Sequence, residues 1–274
     1  MRLVVVSGAS RGLGLGFARQ LLRRAPQSTI VAASRSGTSE GLDELMAEWP
    51  GRIVPMSCDV TDQSSTRELG EQIKAFIVGG GGTGGGSGHQ VDLLLNVAGV
   101  LHGGGGGGGQ FTAAHDQSQR RLPLSYQPER SLASVDATTM QSVFATNAIG
   151  AVLVTQAVAP LLAKGAVIAN LSARTGSIGD NQLGGWWAYR MSKAALNMAT
   201  KNTAIELRRR GVYAVALHPG TCDTEMSVPF KKSVPPGKLF TVEHSTSALL
   251  DVLDRLTPED SGAFLDYAGA RVEF

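Results

Sequence analysis

Short apolar runs rich in β-branched residues alternate along this chain with segments whose apolar residues recur at helical spacing. The strand-like runs lie at 3–7, 29–33, 53–56, 91–96, 165–172, 212–218 and 263–267. Helical spacing fills most of the intervals, and it predicts long helices over 135–163 and 188–210. Strands that alternate with helices form parallel sheets covered on both faces. We therefore predict one doubly wound α/β domain over 1–274, with a parallel sheet of about seven strands.

Two low-complexity tracts interrupt the alternation of strands and helices. Residues 79–88 read GGGGTGGGSG, residues 103–109 are all glycine, and the polar segment up to 127 has no periodicity. Such tracts cannot bury apolar area and behave as flexible linkers. Because the alternation resumes after each tract, we interpret 79–88 and 103–127 as loop expansions within one domain.

Composition limits the classes of partner. The formal net charge is only +2, so no global field favours nucleic acid or an anionic membrane. No continuous apolar run approaches the ~20 residues of a membrane span, and residues 3–6 are too short an apolar run for a signal peptide. Cys58 and Cys222 have no Cys or His at metal-ligand spacing. We expect no metal and a cytoplasmic location, with an organellar targeting segment outside this sequence as the open alternative.

The run SGASRGLG at residues 7–14 lies between the first strand and the first helical pattern. Glycines in this place permit a tight turn and let backbone N–H groups approach a pyrophosphate, which the helix N-terminus attracts. The sequence therefore predicts the dinucleotide-binding loop of a Rossmann-type domain, with a plain glycine turn as the alternative. The candidate cofactor-binding residues here are Gly8, Ser10, Arg11, Gly12, Leu13 and Gly14.

The loop after the second strand reads Ala-Ser-Arg-Ser at 33–36. A carboxylate at this place would bind the ribose 2′-hydroxyl and repel a 2′-phosphate. Arg35 stands there instead, and Arg11 lies in the glycine-rich loop, so two guanidiniums suit a phosphate. We predict NADP(H) as the cofactor in preference to NAD(H). The alternative is that both arginines are solvated surface residues.

Two further segments follow the third and fourth strands. Asp59 is placed to hydrogen-bond the adenine edge with Val60 packed beside it, because ligands bind at the carboxyl ends of such strands. Asp59 could instead cap the next helix. Asn96, Ala98 and Gly99 end the fourth strand, where small residues allow a cofactor to pass close to the backbone.

Tyr189 and Lys193 are four residues apart in a predicted helix and so share one face. An ammonium beside a phenol favours the phenolate and lowers the pKa of the Tyr from about 10. The pair would supply a general acid or base for a carbonyl oxygen. The pattern taken alone also occurs by chance.

Together these motifs resemble the short-chain dehydrogenase/reductase family over nearly the whole chain. The finer likeness is to its C-factor/sniffer-like carbonyl reductase branch, and it is carried by the segments 176–181, 184–187, 234–240 and 256–262. The resemblance implies hydride transfer between nicotinamide and a small-molecule carbonyl or alcohol, with protein groups supplying orientation and electrostatics.

The family's site residues are carried over from that resemblance. Tyr189 would donate the proton and Lys193 would bind the nicotinamide ribose. Asn147 matches the family's Asn, which holds a proton-relay water. The residues expected along the nicotinamide are Pro219, Gly220 and Thr224. The helices 135–163 and 188–210 often form the dimer face in relatives, so a homodimer is also expected from the resemblance.

The chain departs from the family at the catalytic Ser. Ala173 stands where the family has its second Ser, and losing such a donor costs on the order of 100-fold in rate. Ser172 is our candidate substitute, and its alternative is a hydrogen bond to local backbone only. The other polar candidates are Arg174, Thr175 and Ser177. The departures of Ser7 and Val97 from the family's Thr and Asn are mild.

The sequence thus favours an NADP(H)-dependent carbonyl reductase. Ala173 motivates a second reading, a dinucleotide-binding regulatory protein with little or no catalysis, because function resides in the site and not in the fold. A third reading is an interaction protein that uses its glycine-rich loops. One of Trp186 and Trp187 would line the substrate pocket, unless both are ordinary packing residues.

Overall fold

A computed structural model describes residues 2–80, 90–102 and 128–274. The predicted loop expansions at 79–88 and 103–127 lie outside the described residues, except for Gly79 and Gly80 at the end of a helix.

Seven parallel strands form one sheet in the order β3-β2-β1-β4-β5-β6-β9. They are β1 Leu3–Ser7, β2 Thr29–Ser34, β3 Ile53–Ser57, β4 Val91–Asn96, β5 Leu162–Leu171, β6 Tyr213–His218 and β9 Phe264–Asp266. A separate pair joins β7 Thr221–Cys222 to β8 Leu239–Phe240. The prediction of about seven parallel strands is confirmed.

Helices cover both faces of the sheet. They are α1 Gly12–Arg24, α2 Glu40–Glu48, α3 Gln63–Val78, α4 Ala137–Phe144, α5 Gly150–Val158, α6 Trp187–Leu207 and α7 Val242–Asp254. One hydrophobic core lies between the sheet and α1, α2 and α7, and a second lies between the opposite face and α3, α5 and α6. The doubly wound architecture is therefore confirmed.

Successive side chains of strand β1 point to opposite faces of the sheet, and both faces are buried. Val4 and Val6 belong to the first core, whereas Leu3 and Val5 belong to the second. Strand β1 pairs with β2 on one side and with β4 on the other. The strand order therefore reverses here, and the crevice beyond the carboxyl ends of β1 and β4 is where such sheets bind ligands.

The long helix predicted over 135–163 differs from the structure in two respects. A π-helical segment, Ala145–Ile149, joins α4 to α5, and a 3₁₀ turn, Ala159–Leu161, ends the helix so that β5 already begins at Leu162. Pro160 lies in that last turn and cannot donate a backbone hydrogen bond to continue the helix.

By length and composition, this Ala137–Leu161 helix is apolar enough to cross a membrane. The helix passes on its average hydropathy and contains no continuous apolar run of about 20 residues, and a core helix of a soluble protein passes the same test. In the structure Val154 and Val158 pack into the core beneath β4 and β5.

Candidate functional site

The loop between β1 and α1 and the first turn of α1 each contain one position where only glycine fits. Gly8 has a φ of +75°, and its N–H donates to the carbonyl oxygen of Ala33 at 2.8 Å. A Cβ atom on Gly8 would lie 2.7 Å from the backbone nitrogen of Ala98. A Cβ atom on Gly14 would lie 2.1 Å from the carbonyl oxygen of Gly8. Without Cβ atoms at these positions, the backbone N–H groups can be approached closely, as binding of a pyrophosphate requires.

The first turn of α1 is open to an anion. Its N-cap residue, Arg11, makes no side-chain capping bond, and no acidic residue lies in the turn that begins at Gly12. The carbonyl of Ser10 accepts a hydrogen bond from Ser39 at 2.8 Å, and Leu13 packs against the first core. Uncapped N–H groups at the positive end of a helix dipole suit a phosphate. These residues therefore fit the predicted dinucleotide.

The two arginines predicted to face a 2′-phosphate differ in their surroundings. Arg35 is exposed, and its guanidinium has no ion pair within the described residues. Arg11 pairs with Glu225, with 2.5 Å between Nη1 and Oε2. The carboxylate comes from the loop after β7, and it would have to release Arg11 before a phosphate could bind there. The phosphate contacts of Arg11 and Arg35 both stay predictions.

Asp59 does not cap helix α3. Its Oδ1 accepts hydrogen bonds from the backbone N–H of Thr61 at 2.9 Å and from the Thr61 hydroxyl at 2.7 Å. Asp62 is the N-cap, accepting from Ser64. The capping alternative is therefore wrong, and the adenine contact of Asp59 and Val60 stays a prediction. Val60 is buried against the long helix.

The Asn96 side chain is used inside the protein. Its Nδ2 lies 3.0 Å from Thr155 Oγ1 and 2.8 Å from Asn170 Oδ1, and the Ser7 hydroxyl donates to its Oδ1 at 3.4 Å. A buried amide needs such partners. The Asn96 side chain thus joins the carboxyl ends of β1, β4 and β5, and a cofactor contact with its backbone stays a prediction.

Asn147 lies in the π-helical segment and anchors the chain that follows β4. Its Oδ1 accepts from the backbone N–H of Val100 at 2.7 Å, and its Nδ2 donates to the carbonyl of Val100 at 2.8 Å and to Ser192 at 3.0 Å. A Cβ atom on Gly99 would lie 3.3 Å from Asn147 Oδ1 and 3.6 Å from Lys193 Nζ. The structure therefore brings together Asn147, Gly99 and Lys193 as predicted; the water-holding role of Asn147 stays a prediction.

Tyr189 and Lys193 lie on the buried face of α6. Lys193 Nζ is 5.8 Å from the centroid of the Tyr189 ring and donates to the carbonyl of Leu171 at 2.6 Å. The Tyr189 hydroxyl makes no hydrogen bond to any described residue, and the residue as a whole is 8% exposed. A hydroxyl without a protein partner can bond a substrate oxygen.

Burial controls the protonation of this pair. It lowers the pKa of Lys193 to about 8 and raises the pKa of Tyr189 above its usual range, with the nearby Cys222 adding to the increase. The expected lowering of the Tyr189 pKa by Lys193 is thus not seen, because desolvation of the phenolate dominates. A phenol that keeps its proton at neutral pH is suited to donate one.

Ser172 does not replace the missing Ser at 173. It is 2% exposed, and its hydroxyl donates to Oδ1 of Asn197 at 2.6 Å. The proposed catalytic role is not supported, and the alternative of a purely local backbone bond is wrong as well. The side chain instead ties the end of β5 to helix α6.

The other polar candidates near Ala173 are also occupied or enclosed. Arg174 pairs with Asp266 at 3.1 Å and with Asp180 at 3.3 Å. The Ser177 hydroxyl accepts from the backbone N–H of Asp180 at 3.0 Å. The Thr175 hydroxyl is buried with no partner among the described residues. Ser177 is also only 2% exposed, so none of the three side chains offers an accessible, unpaired hydroxyl at this place.

The loop after β6 crosses towards the glycine-rich loop. Gly220 has a φ of +77°, and a Cβ there would lie 2.5 Å from the ring of Phe240. The carbonyl of Pro219 accepts from Ser245 at 2.7 Å, which fixes the turn. A Cβ on Gly12 would lie 3.7 Å from Cγ2 of Thr224. Thr224 therefore lies beside the first turn of α1, and the nicotinamide contacts of Pro219, Gly220 and Thr224 stay predictions.

Two residues were not predicted from the sequence, because neither belongs to a motif: Glu225, which pairs with Arg11, and Cys222, whose thiol lies near Tyr189. The sequence also left open which tryptophan lines the site. Trp186 contacts the Tyr189 ring, whereas Trp187 is 37% exposed. Within the described ranges no group of three or more His, Cys, Asp or Glu could hold a metal ion.

Comparison with known proteins agrees with this geometry. The family model described as short chain dehydrogenase matches residues 2–234. C-signal of Myxococcus xanthus is 42% identical over 143 residues, which cover 52% of this chain and 82% of that protein. The 1-hydroxy-2-glutathionyl-2-methyl-3-butene dehydrogenase of Rhodococcus sp. (strain AD45) is 30% identical over 266 residues, covering 96% of both chains.

Among solved structures, the NADPH-bound carbonyl reductase from chicken fatty liver superposes over 100% of both chains with a TM-score of 0.79 and 29% identity. The predicted family and its C-factor/sniffer-like branch are confirmed by these likenesses. The seven-stranded doubly wound sheet, the glycine-rich loop and the Tyr189–Lys193 pair agree with these likenesses. The chain belongs to the short-chain dehydrogenase family.

Proposed function

We propose that this protein is an NADP(H)-dependent carbonyl reductase. The observation that carries the proposal is the unpaired hydroxyl of Tyr189 on the helix face that also holds Lys193, beside Asn147 and Gly99. This group lies at the same sheet edge as the glycine-rich loop. The similar carbonyl reductase that holds NADPH supports the cofactor, and exposed Arg35 supports its phosphorylated form.

Several residues of this chain would hold the cofactor. The bare loop around Gly8 and the first turn of α1 would receive the pyrophosphate, Asp59 the adenine, Arg35 the 2′-phosphate and Lys193 the nicotinamide ribose. Bound nicotinamide supplies the hydride in such sites. The protein supplies the orientation and the proton.

Tyr189 acts as the proton donor in this mechanism. Its phenol stays protonated because burial raises its pKa, and its hydroxyl is free to bond a carbonyl oxygen. As the oxygen gains negative charge, the phenol proton moves to it. The Lys193 ammonium below the ring then stabilises the phenolate that is left. Asn147 holds the backbone of Val100 by two hydrogen bonds and so fixes the segment after β4 beside Lys193.

Turnover of NADPH with a panel of aldehydes and ketones tests the proposal. We expect Tyr189→Phe to lower kcat/KM by about 100-fold or more, the range typical of a lost general acid. Tyr213→Phe, in strand β6 and packed against the first core, is the matched control and should keep activity. No turnover of any carbonyl, or equal activity of Tyr189→Phe and the wild type, would refute it.

The second candidate function is NADPH-dependent regulation without catalysis. It is favoured by Ala173, since the structure commits Ser172 to Asn197 and so leaves no hydroxyl at the family's position. Tight binding of NADPH by a protein that reduces no carbonyl would favour it. Turnover lost specifically in Tyr189→Phe would exclude it.

A further inference from the structure

Tyr189 lies in the first turn of helix α6, the part of a helix that is least held by its own hydrogen bonds. The helix begins at Trp187, and the N–H groups of its first residues have no carbonyl partner within the helix. Its N-cap residue, Trp186, makes no side-chain capping bond and has a left-handed backbone, with φ of 51° and ψ of 46°. The position of the phenol therefore depends on contacts from outside this turn.

Arg190, the residue after Tyr189, supplies such contacts through its guanidinium. Its Nε donates to the carbonyl of Gly184 at 3.1 Å, and its Nη1 donates to the carbonyl of Thr175 at 3.2 Å. Gly184 lies in the segment that leads into α6, and Thr175 lies in the turn after β5. One side chain thus ties both of these segments to the first turn of the helix.

The turn after β5 is packed directly against Lys193. A Cβ atom on Gly176 would lie 2.6 Å from Cβ of Lys193, so only glycine allows this approach. The Gly176 carbonyl also accepts from Nδ2 of Asn197 at 3.3 Å. The carbonyl that Arg190 binds, that of Thr175, is the preceding one in the chain. A shift of this turn would therefore be transmitted to Lys193.

Charge pairing does not explain the place of the Arg190 guanidinium. The side chain is half-buried, it has no ion pair within the described residues, and burial lowers its pKa. A cation that is withdrawn from water without a carboxylate costs stability. Its planar donors point in fixed directions, as binding of two carbonyls from different segments requires. The two carbonyls that it orients therefore account for this arginine better than its charge does.

We propose that Arg190 is a positioning residue for the reduction, and that it holds the Tyr189 hydroxyl in line with the carbonyl oxygen of the substrate. This inference rests on the proposed reductase function. Ala173 provides no hydroxyl to hold that oxygen from the other side, so its alignment with the phenol depends on where the first turn of α6 lies. Arg190 itself transfers nothing, because the hydride comes from NADPH and the proton comes from Tyr189.

Removing the guanidinium tests the proposal. We expect Arg190→Met to lower kcat for carbonyl reduction by about 10- to 100-fold, since a misplacement of about 1 Å can cost the larger factor. The Kd of NADPH should stay unchanged, and the solvent isotope effect on kcat should rise because proton transfer then limits the rate. Arg190→Lys keeps the charge without the two fixed donors, so it should recover only part of the activity. Arg209→Met, at an exposed arginine beyond the end of α6, is the control and should keep wild-type values.

Chemical rescue separates positioning from folding. Arg190→Ala leaves a space that ethylguanidine can enter, and this compound should raise kcat of the variant towards the wild-type value. The same compound should leave kcat of Arg209→Ala unchanged. Thermal unfolding in the presence of NADPH checks that each variant is folded, since a residue that only stabilises the fold would lower the Tm and leave kcat of the folded protein unchanged.

The outcomes separate this inference from the function on which it rests. Wild-type kcat in Arg190→Met or in Arg190→Lys would overturn the positioning role and leave the reductase function standing. A loss of kcat that ethylguanidine does not reverse, or that comes with an equal loss of NADPH binding, would assign Arg190 to folding and would overturn the role as well. A wild-type protein that binds NADPH and reduces no carbonyl would overturn both the role and the proposed function.

Discussion

Lys193 shows at the scale of one residue how burial sets the chemistry of the site. The residue is 4% exposed, and its ammonium donates to one backbone acceptor, the carbonyl of Leu171. The pKa therefore falls from 10.5 to about 8. A lysine with such a value loses its proton more easily in the folded state than in the unfolded chain.

Folding stability should therefore depend on pH through Lys193. Between pH 8 and 10.5 the unfolded chain binds more protons at this residue, so the contribution of Lys193 to stability rises with pH in that window. The rise is of order 3 kcal/mol. Burial raises the pKa of Cys58, Cys222 and Tyr189, so their contributions to stability fall as the pH rises. Urea unfolding of the cofactor-free wild type and Lys193→Met at several pH values measures the Lys193 contribution as a difference in which those effects cancel. A pH-independent difference would contradict the burial argument.

At the scale of elements, the ion pair of Arg11 with Glu225 connects the N-terminus of α1 to the loop after β7. The two side chains are 66% and 67% exposed, so the pair contributes at most about 1 kcal/mol. The Glu225 carboxylate nevertheless binds the Arg11 guanidinium, which is the group of the glycine-rich loop that could also bind a phosphate. Glu225 and a cofactor phosphate should then compete for Arg11.

Replacing Glu225 should consequently tighten cofactor binding. We expect Glu225→Gln to lower the Kd of NADPH about two- to fivefold, as release of an exposed ion pair allows. Asp223→Asn is the control, because Asp223 pairs with Lys231 and not with Arg11. Fluorescence titration of NADPH measures both, and the gain should vanish in an Arg11→Gln background. Weaker binding by Glu225→Gln would show that the pair closes over the cofactor instead.

For the whole molecule, helix α6 carries an apolar stripe that the fold leaves uncovered. Met191, Met198 and Ile205 recur every seven residues and are 44%, 63% and 60% exposed. Ile149 and Val152 are exposed on the neighbouring long helix at 52% and 46%. Such an apolar surface is typical of an interface between subunits, and two identical stripes are self-complementary about a twofold axis. We propose that a second copy of this chain covers it.

Light scattering after size exclusion tests this interface. We expect the wild type to have twice the chain mass of 28.6 kDa, and Met198→Glu with Ile205→Glu to have the monomer mass. Val78→Glu, at an apolar residue that is 80% exposed on α3, is the control and should keep the dimer. A wild-type protein that is monomeric at all concentrations would contradict the proposal.

The sequence by itself determined the architecture and the motif residues. Strand period, helical spacing and the glycine-rich run are local signals, and each depends on residues that are neighbours in the chain. They were sufficient to predict the seven-stranded sheet, the loop around Gly8 and the helix that carries Tyr189 and Lys193.

Only the tertiary structure decided which of these side chains are available. Ser172 and Asn96 look functional in the sequence, but each is used by a partner far along the chain, Asn197 and Asn170. The direction of the Tyr189 pKa was equally beyond the sequence, since it depends on how much water the fold excludes from the phenol. Hydrogen-bond partners and desolvation arise from contacts between distant segments, and a local pattern contains no information about them.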